Sequence, residues 1–191
     1  MKTKFFTRDG DRGESGIGNN KKKKNDPLFD ILGELDLLNS WLGLSKSRVS
    51  GRKELGDPIS VSREMRRIQE TLFVSQAEIA AMGFETNSPK TVIGDDHVKF
   101  LEDIVLRVDK QVPELKQFVI PGGDEVSASL DVARALSRRV ERLVVAEADR
   151  YDVSPEMLQY LNRLSSALFA LSRYVNHVAG VKEESPTYRI D

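Results

Sequence analysis

The sequence predicts an all-α fold, a five-helix bundle, and three observations carry that prediction. From Pro27 onward apolar residues recur at spacings of three and four, which is the period of a helix with one buried face. No stretch shows the sustained alternation of apolar and polar residues that is typical of a half-buried strand. A chain of 191 residues, 39% of them hydrophobic, is large enough to bury a core in one domain.

The first two predicted helices are marked by their ends and by their apolar faces. The first runs from about Pro27 to Leu44, with proline in the first turn. The second starts near Asp57-Pro58 and ends at Gly83, a residue that tolerates the left-handed conformation of a helix cap. The side chains expected in the core are Leu28, Ile31, Leu32, Leu35, Leu38 and Leu42 from the first helix and Val61, Met65, Ile68, Leu72 and Phe73 from the second.

The third and fourth predicted helices differ in how many faces they use. The third places Val98, Leu101, Val105, Val108 and Val112 at steps of three and four, so one narrow stripe faces a neighbour. The fourth, from about Asp124 to Tyr151, has an apolar line through Val126, Leu130, Ala133, Val140 and Val144. It also has a polar line through Asp131, Arg134, Arg138, Glu141 and Arg142. Two lines on one helix indicate two different neighbours.

The fifth predicted helix begins at Ser154-Pro155, a capping residue followed by proline, and continues at bundle spacing to Val178. The chain therefore divides into three parts. Residues 1–26 are rich in glycine and lysine and are expected to be a flexible loop, residues 27–180 form the helical bundle domain, and residues 181–191 form a polar tail expected to fray.

Composition excludes several classes of function. The chain has no cysteine, which excludes thiolate metal sites and cysteine nucleophiles, and two histidines without a Glu-x-x-His pair argue against a di-iron centre. A net charge of -1 argues against nucleic-acid binding. No apolar run is long enough to span a membrane, and the first residues lack the apolar stretch of a secretion signal, so we expect a cytoplasmic protein.

Residues 7–16 form the first candidate site. They combine glycines, small hydroxyls and nearby cations, which are the ingredients of a phosphate-binding loop, and the basic run of residues 21–24 follows. The pattern is neither a Walker A sequence nor GxGxxG. A mobile tail without function is the alternative on composition alone.

The fourth and fifth helices carry the second candidate site. Arg138 and Arg142 lie one turn apart with Glu141 beside them, and such a cluster suits a triphosphate because the arginine fork matches phosphate oxygens. The alternative is a ladder of ion pairs within the helix. Asn162 adds a polar group on the fifth helix, and Asp36 on the first helix borders the core, where Arg138 is a candidate partner. Surface positions for both are the alternative.

The segment from Phe118 to Gly123, Phe-Val-Ile-Pro-Gly-Gly, is an apolar loop that breaks the helical period. It is expected either to pack on the core or to offer Phe118 to a flat apolar ligand.

Taken together, these segments resemble the PduO-type ATP:cob(I)alamin adenosyltransferases from about Thr7 to Arg173. The phosphate loop of that family is matched by Thr7, Arg8, Gly10, Asp11, Gly13 and Ser15, followed by Lys24. A first-helix motif is matched by Gly33, Asp36, Leu38, Asn39 and Ser40. The later motifs correspond to residues 118–123, to Arg138-Arg139-Val140-Glu141-Arg142 and to Leu161-Asn162-Arg163-Leu164-Ser165-Ser166.

The resemblance implies a ferritin-like five-helix bundle that assembles as a homotrimer with active sites between subunits. It implies transfer of the 5'-deoxyadenosyl group of ATP to cob(I)alamin, with Mg²⁺ bound mainly through ATP and a corrinoid reductase as a possible partner. The residues implied to bind ATP are Thr7, Arg8, Gly10, Asp11, Gly13, Ser15, Lys24, Arg138, Glu141, Arg142 and Asn162. The residues implied to act in catalysis are Arg142, Phe118, Asp36 and Arg138.

Within that scheme, Arg138 would pair with Asp36 of the neighbouring subunit, and Phe118 would press on the lower face of the corrin to exclude its axial base. Four positions depart from the family pattern, namely Asp9, Leu37, Asp131 and Ser166. The alternative is therefore that the protein is a catalytically weak homologue, which binds cobalamin or ATP as a sensor or carrier.

Overall fold

The structure is a computed structural model that describes residues 5–6, 8–17, 19–87 and 89–189. The elements are strands β1 (Glu14–Ile17) and β2 (Asn20–Lys23) and helices α1 (Pro27–Ser47), α2 (Val61–Gly83), α3 (Asp95–Asp109), α4 (Glu125–Ala146), α5 (Ala148–Tyr151) and α6 (Pro155–Val178), with a short 3-10 helix at Lys53–Leu55. Five long helices confirm the predicted bundle. Among the described residues, no helix is both long and apolar enough to cross a membrane.

Side-chain caps fix the start of three long helices. Asp26, Asp124 and Ser154 precede α1, α4 and α6, and each accepts a backbone N–H from the first turn, at 3.0, 2.8 and 3.2 Å. Pro27 and Pro155 occupy the first positions of α1 and α6, where no N–H is needed. These caps set where the helices begin and therefore which side chains face inward.

Helix α4 packs between α1 and α6, α1 also packs on α2, and α6 also packs on α3. Small residues bring α1 and α4 together, since the hydroxyls of Ser45 and Ser129 are 2.6 Å apart and the Trp41 indole N–H donates to the Ser129 carbonyl at 2.8 Å. Arg107 of α3 reaches buried Glu64 of α2 at 3.2 Å and closes the ring of helices.

Most of the predicted core is confirmed, but Val105 and Val112 of the third-helix stripe are only partly buried. Leu32 is only partly buried, and Phe73, expected in the core, is 65% exposed on α2. Phe73 follows buried Leu72 at about 100° around the helix, which places the Phe73 side chain outside the buried face of α2. The apolar line of the fourth helix is fully buried, as predicted.

Two helix limits differ from the prediction. Helix α2 begins at Val61 rather than near Asp57, because the Asp57 carbonyl accepts the Tyr174 hydroxyl at 3.0 Å and residues 57–60 pass over α6 in non-helical conformation. The predicted fourth helix is broken at Glu147, whose φ of -111° and ψ of 8° separate α4 from the single turn α5.

The segments that flank the helical bundle make contacts that the sequence did not indicate. Strands β1 and β2 form an antiparallel hairpin in which Glu14 pairs with Lys23 and Ile17 with Asn20, so the absence of strands was a wrong prediction. Most of its side chains are exposed on both faces, which leaves no alternation to detect. In the tail, described to residue 189, the Glu184 carbonyl accepts the Ile120 N–H at 2.8 Å.

Candidate active site

A cavity of about 600 Å³ opens between α4 and α6, beside the connection from α3 to α4. Its wall is mostly apolar, with Lys116, Arg134 and Arg138 as the cations that line it. The other lining residues are Leu115, Lys116, Gln117, Phe118, Val119, Pro121, Asp131, Ser165, Ser166 and Phe169. A cavity of this size and composition suits a large ligand that combines an apolar surface with negative charge.

Phe118 stands at the rim of this cavity with 80% of its surface exposed. Ile120, two residues further on, is 49% exposed. Of the two sequence interpretations, the structure therefore excludes a Phe118 packed on the core. A large aromatic side chain left in water beside a cavity is typical of a surface that a ligand covers.

Asp131 lies in the cavity wall and is nearly buried. Its Oδ2 accepts the Gly122 N–H at 3.1 Å, and its Oδ1 accepts the Ser172 hydroxyl at 3.2 Å. Burial raises the pKa of Asp131, and the two hydrogen bonds and the nearby Arg134 charge offset that effect only in part. The carboxylate thus ties the Phe118 loop to α4.

A polar cluster continues along α4 and α6 beyond the cavity. The Asn162 side-chain amide donates to Glu141 at 2.8 Å and accepts from Arg163 at 3.0 Å, and Arg163 pairs with Glu102 of α3 at 2.9 Å. The structure therefore brings together Glu141 and Asn162, which are 21 residues apart in the chain and both predicted to bind ATP.

Arg138 and Arg142 lie on the exposed side of α4, and Arg142 Nη1 donates to the Arg138 carbonyl at 3.0 Å. Asp36 is exposed on α1, and no ion pair joins it to Arg138 within the described part of this single chain. Instead Arg139 pairs with Glu34 at 2.9 Å and links α4 to α1. Arg139 therefore points away from Arg138, which lines the cavity.

The N-terminal loop closes on Lys24. Lys24 Nζ donates to the Gly10 carbonyl at 3.1 Å, and the Lys24 backbone N–H donates to the Gly13 carbonyl at 2.8 Å. Gly13 has a φ of 76°, a conformation that glycine adopts without strain, and Arg8 has a φ of 71°, which is uncommon for a residue with a side chain. Five residues of the predicted phosphate loop, Arg8, Gly10, Asp11, Gly13 and Lys24, are thereby gathered in one place; Ser15 lies in β1, and Thr7 lies outside the described residues.

The hairpin attaches this loop to one end of the bundle. The Asn20 side-chain amide donates to the Phe84 carbonyl at 2.7 Å, and the Tyr151 hydroxyl donates to Asp26 at 2.9 Å. Burial and the Asp26 carboxylate raise the pKa of Tyr151 to about 12, so the hydroxyl stays a donor at neutral pH. Burial alone would raise the pKa of Asp26, but the Leu28 amide, the Tyr151 hydroxyl and neighbouring cations lower it.

Within one chain the two halves of the site lie at different ends. The phosphate loop adjoins the start of α1 and the end of α2, whereas the Phe118 loop precedes α4 at the opposite end. Arg142 lies 11 residues beyond Asp131, which is roughly 16 Å along the helix. The polar line of α4 therefore extends from the Phe118 loop towards the end of the bundle that carries the predicted phosphate loop.

Sequence reasoning did not assign Arg134 and Phe169 to the site. Arg134 precedes Arg138 by one turn in the polar line, and Phe169 follows Asn162 by two turns on α6. The helical spacing of Arg134 from Arg138, and of Phe169 from Asn162, was the signal that could have placed them in the site. In the sequence alone, however, Phe169 cannot be told from an ordinary aromatic residue of the core.

Residues 5–175 match the family described as cobalamin adenosyltransferase. The chain is 33% identical over 178 residues to a corrinoid adenosyltransferase of Bacillus subtilis, covering 93% of this chain and 89% of the relative. It is 34% identical over 171 residues to one of Citrobacter freundii, covering 89% and 93%. A variant of the PduO-type ATP:corrinoid adenosyltransferase from Lactobacillus reuteri, complexed with cobalamin and ATP, superposes with a TM-score of 0.85 at 32% identity, covering 97% of each chain.

Proposed function

The chain belongs to the cobalamin adenosyltransferase family, and on that premise we propose that it transfers the 5'-deoxyadenosyl group of ATP to the cobalt of cob(I)alamin or a related corrinoid. The cobalt–carbon bond forms as the bond between C5' and the phosphate oxygen breaks, and triphosphate leaves. The observation that carries the proposal is the exposed Phe118 at the rim of a 600 Å³ cavity lined by Arg134 and Arg138.

The cobalt is itself the nucleophile, so the protein has to align the reactants and stabilise the charge that develops on triphosphate. Arg142 and Lys24 are the cations assigned to this role, and Arg138 contributes from the cavity wall. The loop residues assigned to hold the phosphates are Thr7, Arg8, Gly10, Asp11, Gly13 and Ser15. The hydrogen bonds that Lys24 donates to the Gly10 and Gly13 carbonyls support that assignment.

Mg²⁺ would be held mainly by the phosphates of ATP. Among the described residues, no group of three His, Asp or Glu side chains could hold a metal ion by itself. Glu141, fixed by Asn162 at 2.8 Å, offers the carboxylate that a chelated Mg²⁺ needs from the protein.

Phe118 is assigned to the lower face of the corrin. A dry apolar surface there excludes the axial base and keeps the cobalt four-coordinate, which favours the Co(I) state. Phe118 suits this role because its ring is available for contact and the cavity behind it is mostly apolar.

The functional unit is proposed to be a homotrimer with active sites between subunits. Exposed apolar side chains lie on the adjoining helices α1 and α4, namely Leu37, Leu44, Val132 and Val145, with 40–56% of their surfaces in water. Asp36 and Arg138 do not pair within one chain, whereas a contact between Asp36 of one subunit and Arg138 of the next would close a cyclic ring. It would also bring the phosphate loop of one subunit towards the cavity of another.

A corrinoid reductase is the proposed source of Co(I), and the cytoplasmic location stays a prediction that fractionation of expressing cells would test.

The function itself is tested by incubating the protein anaerobically with ATP, Mg²⁺ and chemically reduced cob(I)alamin. Appearance of a light-sensitive alkylcobalamin spectrum supports transfer. Binding of cobalamin and ATP without this product would select the sensor or carrier alternative.

A further inference from the structure

The Phe118 loop is held by its backbone rather than by its exposed side chains. Gly122 is fixed on both sides, since its N–H donates to Asp131 at 3.1 Å and its carbonyl accepts the Asn176 amide at 2.9 Å. Gly123 has a φ of 100°, and a Cβ there would lie 2.6 Å from the Asn176 side-chain oxygen. The glycines therefore let the loop come close to α6.

The third attachment comes from the end of the chain. After α6, the Val181 N–H returns to the Asn176 carbonyl at 2.9 Å, and residues 181–189, the C-terminal strap, continue without helix or strand. The Glu184 carbonyl then accepts the Ile120 N–H at 2.8 Å. Ile120 is two residues from Phe118, so this hydrogen bond lies closer along the chain to Phe118 than the hydrogen bonds of Gly122.

The strap is itself anchored by the side chain of Glu183. Glu183 lies 2.8 Å from Arg173 Nε and accepts the Asn176 amide at 3.2 Å, and the Arg173 and Glu183 side chains are only 11% and 17% exposed. The Arg173 N–H is not directed at the oxygen, so the contact is an ion pair rather than a hydrogen bond. Asn176 bonds both the strap and Gly122, so it couples strap position to loop position.

We propose that the C-terminal strap, anchored by Glu183, is a positioning element that holds the Phe118 loop over the cavity and thereby acts on the corrinoid half of the reaction rather than the ATP half. The inference rests on the proposed function. The phosphate loop lies at the other end of the same chain, so loosening the strap leaves it in place.

The test compares Glu183→Ala with Glu184→Ala. Both variants remove one negative charge from the strap, but Glu184 is exposed and contributes its backbone carbonyl, which alanine retains. We expect Glu183→Ala to lower kcat/KM for cob(I)alamin roughly tenfold, the lower end of the effect of losing one hydrogen-bonded contact to a charged group, with the KM for ATP unchanged. Glu184→Ala should match the wild type, and Glu183→Gln, which keeps an acceptor for Asn176, should recover part of the loss.

Hydrogen exchange gives a readout that does not depend on turnover. Amides of residues 118–123 should exchange faster in Glu183→Ala than in the wild type and Glu184→Ala, and bound cob(II)alamin should show a smaller four-coordinate fraction by electron paramagnetic resonance. Unchanged exchange in Glu183→Ala would overturn the proposal, as would an equal rise in both KM values. If the wild type makes no adenosylcobalamin, the proposed function fails while the exchange comparison still decides whether the strap holds the loop.

Discussion

Phe118→Ala separates the stability of the fold from the corrinoid chemistry. Complete burial of a phenylalanine contributes about 3 kcal/mol, and Phe118 is 80% exposed, so the substitution should cost about 0.6 kcal/mol of folding free energy. The remaining exposed surface is worth up to about 2.4 kcal/mol if a ligand covers it completely. A corrin that covers one face of the ring recovers about half of that, about 1.2 kcal/mol, which is roughly an eightfold effect on kcat/KM.

The assay measures kcat/KM for cob(I)alamin, the KM for ATP and the rate of transfer when cob(II)alamin is reduced in place. Phe73→Ala is the matched control, because Phe73 is 65% exposed on α2 and does not line the cavity. Phe118→Ala should slow the reaction from cob(II)alamin most and leave ATP binding nearly unchanged, with an unfolding free energy close to that of Phe73→Ala. Equal losses for the two substrates, or equal losses in the two variants, would refute the assigned role of Phe118.

Three further predictions concern other parts of the site. Arg138→Ala should weaken the trimer by about 2 kcal/mol per interface and lower activity with it, so sedimentation that shows an intact, fully active trimer would exclude the pairing with Asp36. Glu141→Ala should raise the KM for ATP roughly fivefold through loss of the Asn162 contact, whereas an unchanged KM would remove Glu141 from the ATP site. Burial raises the pKa of Asp131, so ionisation of its carboxyl destabilises the folded state at pH values above the usual pKa of about 4. In urea titrations, the unfolding free energy of the wild type should therefore fall relative to that of Asp131→Asn as the pH rises from about 4 to 7. A difference between the two proteins that stays constant with pH would contradict that effect.

The sequence was sufficient for most of the helices because their starts and buried faces depend on local patterns. Proline and capping residues mark the starts of α1 and α6, and the buried apolar line of α4 follows the helical period. The resemblance implied that Glu141 and Asn162 bind ATP, and the hydrogen bond between their side chains became visible only when α4 and α6 were placed side by side.

The features that the sequence did not reveal depend on contacts between distant backbones. The Ile120 N–H and the Glu184 carbonyl meet through main-chain atoms, so no side-chain pattern records the strap. The hairpin also depends on main-chain contacts, because its four-residue strands are mostly exposed and leave no apolar pattern. Gly16 approaches the Asn20 carbonyl too closely for a larger residue. Asp131 was notable only as a departure from the family motif until the fold placed Gly122 against it.

Product stoichiometry in a single anaerobic turnover tests adenosyl transfer most directly. Limiting ATP is mixed with the protein, Mg²⁺ and excess chemically reduced cob(I)alamin, and adenosylcobalamin and triphosphate are quantified together. The account predicts one molecule of each product for every ATP consumed. Bound cobalamin and ATP with neither product formed, or ATP consumed without a cobalt–carbon bond, would contradict it.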